Sequence, residues 1–139
     1  MSEARRSLLR ANALFLVLAG AGGLRSDILG IFFGQGPVGR SVAAAPHAGI
    51  GFVEAHGLAV ILGVLLWRAA PERSWHLAAA AIHVLLGTAN LVFWPFFLAA
   101  DMLAMGYITT SLHWFFVALQ LLAAALSRAA SSTAAVIRA

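Results

Sequence analysis

The strongest constraint on the fold of this chain is a set of four apolar runs, each close to the length of a membrane-spanning helix. They cover residues 8–24, 50–67, 75–97 and 102–126. A helix needs about 20 predominantly apolar residues to cross the hydrocarbon of a bilayer. Charged residues make up only 10% of the chain, whereas about 25% is usual in soluble domains. The sequence therefore predicts an all-α integral membrane four-helix bundle, with residues 1–139 forming a single transmembrane domain.

The placement of arginine predicts the orientation of this bundle. All nine basic residues are arginine, and with the N-terminus in the cytoplasm all of them except Arg25 and Arg40 fall on the inner side. Cytoplasmic loops of membrane proteins carry an excess of arginine and lysine. We therefore expect both ends of the chain to lie inside (N-in, C-in). The alanine- and arginine-rich, lysine-free composition is typical of bacteria with GC-rich genomes, so the expected location is the bacterial cytoplasmic (inner) membrane, as a multi-pass protein.

Residues 25–49 form the longest connection between the apolar runs. Ser26 and Asp27 are residue types that cap helices, and they precede the apolar stretch 28–33. The glycines and the proline in residues 34–39 predict turns. We expect a short interfacial helix in this first outer loop. The alternative is that the segment forms a lid over a cavity in the bundle.

Small and polar residues recur at steps of three and four along all four runs. Lipid provides no hydrophobic force between helices, so such stripes mark the faces that pack together. The second run carries a ridge of small residues, namely Gly51, Ala55, Ala59 and Gly63. The stripes on the other runs are Asn12, Leu16, Ala19 and Gly23; His76, Ala80, His83, Gly87, Asn90 and Trp94; and Gly106, Thr110, His113, Val117, Gln120, Ala124 and Ser127. Together they predict a bundle with an inward-facing polar core.

Several polar side chains are expected to converge in the outer half of the bundle, because each helical residue adds about 1.5 Å of depth. Glu54 and His113 are the candidate catalytic groups, since an ionisable side chain inside a membrane is costly unless it is paired or functional. The candidate ligand contacts are His56, Asn90, Trp94, Tyr107, Thr110 and Trp114. His83 and Gln120 are expected nearer the cytoplasm. Two alternatives stay open: Glu54 reaches surface water or Arg40, and His113 serves only as a bond between helices.

The composition excludes several classes of function. The arginines lie singly or in pairs at the ends of apolar runs and form no basic face for nucleic acid. The chain has no cysteine, which excludes thiolate sites and disulfides. The histidines lack the short spacing of metal ligands, so no metal is expected. A haem between His56 and His113, the histidine pair expected at similar depth, has only weak support from the spacing, and the cofactor stays unknown.

The second run resembles a known sequence pattern. Residues 54–63, EAHGLAVILG, resemble the E-x-x-G-x-x-L-x-x-G run of DoxX-like proteins, with Val60 where that pattern has leucine. Members of that family are small bacterial four-helix membrane proteins, some linked to membrane oxidoreductases that pass electrons to quinone. The resemblance implies that Glu54 is the family's polar position in this helix. It implies nothing about His56 or His113, which are not motif positions.

Three functional hypotheses follow from these observations. The leading one is a membrane protein that binds an apolar ligand, a quinone or lipid, in an outer-half polar cavity, as an accessory subunit of a larger membrane complex. The second is a membrane enzyme, an isomerase or oxidoreductase, using Glu54 and His113 as acid and base. The third is a structural homo-oligomer that pairs through the small ridge of the second run. Membrane lipids are expected neighbours in all three cases, and nucleic acid in none.

Overall fold

The computed structural model describes the backbone of residues 2–137 and the side chains of residues 3–127, and this part of the chain is helical throughout apart from short connections. The helices are α1 Ser2–Phe33, α2 Gly36–Ala44, α3 Ala48–Arg68, α4 Arg73–Val92, α5 Trp94–Ala99 and α6 Leu103–Ile137. The four long helices are α1, α3, α4 and α6. They form the all-α four-helix bundle that the sequence predicts, and α2 is the short helix expected in the first connection.

Within the part of the chain that the structure describes, four helical stretches are long and apolar enough to cross a membrane. They are Glu3–Phe33, Ala48–Arg68, Arg73–Val92 and Leu103–Ser127. The chain is accordingly a multi-pass membrane protein. Because successive spans run in opposite directions, α2 and α5 lie at one end of the bundle, which we call the α2 end. The opposite end, which we call the terminal end, carries the α3–α4 connection and the start of α1. The direction of the bundle relative to the cytoplasm stays a prediction.

Helix α1 extends further than the first apolar run. Ser26 and Asp27, expected to cap a helix, lie inside α1, because the apolar residues that follow them continue the helix to Phe33. The helix stops at Gly34, which has a φ of 65°. This left-handed conformation suits glycine, which has no Cβ to clash with the backbone. The Asp27 side chain is therefore available for a tertiary contact.

Proline interrupts the third apolar run, which was predicted as one helix over residues 75–97. Helix α4 ends at Val92, and the separate short helix α5 begins at Trp94 with Pro95 in its first turn. Proline has no N–H to donate and its ring clashes with the carbonyl four residues earlier, so it is tolerated in the first turn of a helix and not in its interior. Asp101, with a φ of 54°, then turns the chain into α6.

The four long helices pack as two hairpins. Helix α1 packs chiefly against α3, and α4 chiefly against α6. We call α1 and α3 the first hairpin and α4 and α6 the second hairpin. They share an apolar core near the terminal end, formed by Leu9, Ala13, Leu16, Leu66 and Ala79. This core positions the polar side chains that lie beside it.

Glycines allow the helices of the first hairpin to approach closely. A Cβ added to Gly20 would lie 2.8 Å from the carbonyl oxygen of His56, and one added to Gly63 would lie 2.9 Å from that of Ala13. Small residues at helix contacts are typical of membrane bundles. Only part of the predicted ridge on α3 lies in this contact. Gly63 is buried, but Gly51 and Ala55 at the other end of the ridge are exposed.

Candidate functional site

A chain of five hydrogen-bonded side chains runs through the terminal half of the bundle and links the two hairpins. We call it the polar chain. Its members, in order, are His76, Gln120, Asn12, His83 and His113. Asn12 belongs to the first hairpin and the other four residues belong to the second. His76, Gln120, Asn12 and His83 are fully buried, and His113 is 8% exposed. The polar chain thus satisfies polar groups that would otherwise be costly in a membrane interior.

The bonds of the polar chain run in one direction. His76 Nδ1 donates to Gln120 Oε1 over 2.6 Å, and Gln120 Nε2 donates to Asn12 Oδ1 over 2.8 Å. Asn12 Nδ2 donates to His83 Nε2 over 2.6 Å. His83 Nε2 therefore accepts, which places the proton of a neutral ring on Nδ1.

The last hydrogen bond of the polar chain, from His83 to His113, runs in the same donor-to-acceptor direction. His83 Nδ1 donates to His113 Nδ1 over 2.8 Å. A neutral His113 then carries its own proton on Nε2 and offers it as a donor. The rings are held in place by aromatic neighbours: Phe116 stacks on His83 at 5.1 Å, and Phe15 contacts His113 edge-on at 5.6 Å. The arrangement fixes the tautomer and the orientation of the donor at the end of the polar chain.

Beyond His113, toward the α2 end, the face of α1 that points at the second hairpin becomes exposed. Asn12 and Leu16 on this face are buried, whereas Ala19, one heptad beyond Asn12, is exposed. A Cβ added to Gly22, one heptad beyond Phe15, would meet no atom within 4 Å. The second hairpin therefore leaves this face of α1 uncovered in this part of the bundle. We call the open space beside it, on the side of the second hairpin, the inter-hairpin gap.

At the α2 end of the gap, side-chain contacts again connect the two sides. Arg40 on α2 donates from Nη2 to the carbonyl oxygen of Ala100 over 3.3 Å. The rings of Phe52 on α3 and Phe96 on α5 lie 5.9 Å apart. Both contacts connect the first half of the chain to the second. Helix α2, in the segment expected as an interfacial helix or a lid, thus contacts the second half of the chain through Arg40.

A second polar contact lies within the first hairpin. Asp27 is fully buried, and its Oδ2 lies 2.7 Å from His56 Nδ1. The other carboxylate oxygen, Oδ1, is buried without a hydrogen-bond partner among the described residues. The His56 side chain is 37% exposed, and its ring lies over Gly23, where a Cβ would overlap it. The carboxylate holds the imidazole in place through this contact.

The sequence-based hypothesis required Glu54 to lie close to His113. The structure does not bring these two residues together. Glu54 is exposed on α3. It lies two residues from His56, about 200° around the helix, and His56 faces α1. Glu54 therefore points away from the first hairpin's contact. The buried carboxylate of this region is Asp27.

The remaining candidate contacts fall into separate groups. Thr110 is 8% exposed, lies one turn from His113 on α6, and its hydroxyl is buried without a partner among the described residues. Asn90 donates to Thr109 Oγ1 over 3.1 Å. The other three are aromatic: Trp94 and Tyr107 pack edge to face at 4.9 Å, and Trp114 packs on Gly87. Of the predicted set, only His113 and Thr110 lie together on one buried face.

Asp27 and the inner part of the polar chain were not predicted as site residues. Ala13, Gly20 and Asp27 recur at steps of seven on α1, so Asp27 falls on the face that contacts α3. His76 and Gln120 were placed on the correct stripes but were not expected to bond to each other. Among the described residues, no group of three or more histidine, aspartate or glutamate side chains is arranged to hold a metal ion.

Comparisons with protein-family models, with curated proteins and with solved structures give no match. The resemblance of residues 54–63 to DoxX-like proteins accordingly stays a prediction.

Proposed function

We propose that this multi-pass membrane protein binds an apolar molecule, a quinone or a lipid, in the inter-hairpin gap. We further propose that it works as an accessory subunit of a larger complex in the bacterial cytoplasmic membrane. In this proposal the ligand enters the gap from the lipid, and α2 covers the end nearest the membrane surface.

The observation that carries the proposal is the change in burial along one face of α1. Asn12 and Leu16 are buried against the second hairpin, whereas Ala19 is exposed and Gly22 faces open space. Small apolar residues at these two positions leave room without offering hydrogen bonds, which suits an apolar ligand. Ligand sites in membrane bundles are commonly formed between helices.

The closed end of the gap offers polar contacts. His113 presents an Nε2 donor that the polar chain orients, and the Thr110 hydroxyl has no partner among the described side chains. The Thr110 hydroxyl is itself buried, so the His113 donor is the group that a ligand oxygen would contact, and satisfying it would gain binding energy. Mostly apolar walls with a few placed polar groups are typical of small-molecule sites.

The proposal is tested by filling the gap. Gly22→Phe should place a ring where the ligand lies, while Gly51→Phe adds the same ring at an α3 position that also has open space around it. Both variants would be purified in nanodiscs, extracted for bound quinone and lipid, and titrated with decylubiquinone by quenching of tryptophan fluorescence. We expect Gly22→Phe to weaken binding at least tenfold and Gly51→Phe to leave it unchanged. Equal binding by wild type and Gly22→Phe would contradict the proposal.

A further inference from the structure

We propose that the Asp27–His56 pair is a hydrogen-bond donor site for a carbonyl oxygen of a membrane-dissolved molecule. This inference rests on the proposed function, since it names the polar contact of the same ligand. Gly23, which lies under the His56 ring, is the neighbour of Gly22 on the wall of the gap. The partly exposed ring therefore lies over a position of α1 one residue from the wall of the gap.

Burial determines the charge of the pair. Asp27 has no exposed surface, and Oδ1 lacks a partner among the described residues. A net negative charge in such a place is costly in a membrane span, which favours a pair that is neutral as a whole. Two arrangements satisfy this condition: an aspartate with an imidazolium, or a protonated carboxyl group with a neutral imidazole.

Both arrangements place a proton on His56 Nε2. In the ion pair both ring nitrogens are protonated, with Nδ1 donating to Oδ2. In the neutral pair the carboxyl O–H donates to Nδ1, and the ring keeps its own proton on Nε2. Asp27 thus fixes Nε2 as a donor whichever side the shared proton is on. The ring is 37% exposed, and Nε2 has no hydrogen-bond partner among the described residues, so this donor is free for a ligand.

A donor of this kind recognises an acceptor oxygen. Within the hydrocarbon the acceptors available are carbonyl groups, from a quinone ring or from the ester of a lipid. A hydrogen bond from a charged or carboxylate-backed imidazole is among the stronger ones. It would withdraw electrons from the carbonyl bond and lower its stretching frequency.

The test measures that frequency by difference infrared spectroscopy on the full chain in nanodiscs. One arm uses decylubiquinone labelled with ¹³C at its carbonyls, and the other uses phosphatidylglycerol labelled with ¹³C at its ester carbonyls. In wild type we expect a downshifted carbonyl band in one arm, which identifies the source of the carbonyl. His56→Phe should abolish the band, while His47→Phe, at an exposed histidine before the same helix, should keep it.

A second variant provides an independent test in case His56→Phe does not fold. Asp27→Leu removes the carboxylate, so His56 should lose its fixed tautomer and the shifted band should weaken and broaden. Nitrogen NMR of labelled histidine reports the same change directly. If neither arm shows a shifted band in wild type, the donor site is wrong. The proposed function is judged separately, by whether Gly22→Phe still binds decylubiquinone.

Discussion

In the terminal half of the bundle, polar side chains from three helices bond to one another, whereas in the α2 half the hairpins separate. Asn12 and His83 show the first behaviour: both are fully buried, and each bonds on two sides. Thr110 shows the second, because its buried hydroxyl has no partner among the described residues. The polar chain thus satisfies most of the buried polar atoms of its half, although His76 Nε2 has no partner among the described residues, as Thr110 Oγ1 has none in the other half.

The difference separates structural polar groups from binding groups. In lipid, a bond between side chains on different helices is one of the forces that hold the helices together. A closed set of such bonds stabilises the bundle and offers little to a ligand. An oriented donor at the edge of a gap adds little to stability but is available to a ligand. His113 lies at the boundary of the two halves, since it is the last member of the polar chain toward the α2 end.

The largest effect should come from removing the centre of the polar chain. Asn12→Leu keeps the volume but leaves a nitrogen of His83 and one of Gln120 buried without partners, at about 1–3 kcal/mol each. We expect a loss of about 3 kcal/mol in the free energy of unfolding, measured by steric trapping in bicelles. Asn90→Leu breaks one half-buried bond and should cost about 0.6 kcal/mol, near the average for membrane helices. Equal losses for both variants would mean that the polar chain has no special structural role.

A somewhat smaller loss is expected where α1 and α3 touch. Gly63→Ala places a methyl group 2.9 Å from the Ala13 carbonyl oxygen, which is backbone and cannot move aside. We expect a cost of about 1.5 kcal/mol, within the range for overpacked contacts. Gly57→Ala is the matched control on the same helix, because no atom lies within 4 Å of its added Cβ. That variant should be neutral or slightly stabilised, since alanine favours helix.

The stripes on α4 and α6 were readable from the sequence because polar residues must face inward in lipid. Every member of the α6 stripe is buried, and so are the first four members of the α4 stripe. The ridge on α3 was less informative. Small residues permit a close approach but do not require one, and Gly51 meets open space. Burial could thus be predicted for polar residues, because a polar group in lipid needs a hydrogen-bond partner. It could not be predicted for small residues, because they permit a close helix contact without requiring it.

Which polar groups bond to each other could not be predicted in the same way. Depth estimates placed His113 in an outer cluster with Glu54 and put His83 below it. The structure instead joins His83 to His113 over 2.8 Å, because α4 and α6 bring the two rings to one level. Pairing depends on the relative height and rotation of two helices, and a stripe on one helix fixes neither.

A small effect on stability and a clear effect on dynamics are expected at the rim of the gap. Arg40→Gln removes the bond to the Ala100 carbonyl, and an exposed substitution of this kind changes stability by about 0.5 kcal/mol or less. The backbone amides of α2 should nevertheless exchange hydrogen several times faster, because one of the contacts that hold α2 over the gap is lost. Arg25→Gln, at another exposed arginine, should leave that exchange unchanged. Unaltered exchange in Arg40→Gln would argue against α2 as a cover.

The smallest effect is expected at Glu54, the residue that the sequence singled out first. Its carboxylate is exposed and lies on the side of α3 away from His56, so Glu54→Gln should change the free energy of unfolding by less than about 0.5 kcal/mol. It should also leave decylubiquinone binding unchanged. Asp27→Asn should behave differently, because the buried Asp27 holds the His56 ring over 2.7 Å and an amide cannot supply the same charge. If Glu54→Gln binds decylubiquinone more weakly than Asp27→Asn does, Glu54 on α3 is the functional carboxylate. Asp27 is then a purely structural contact.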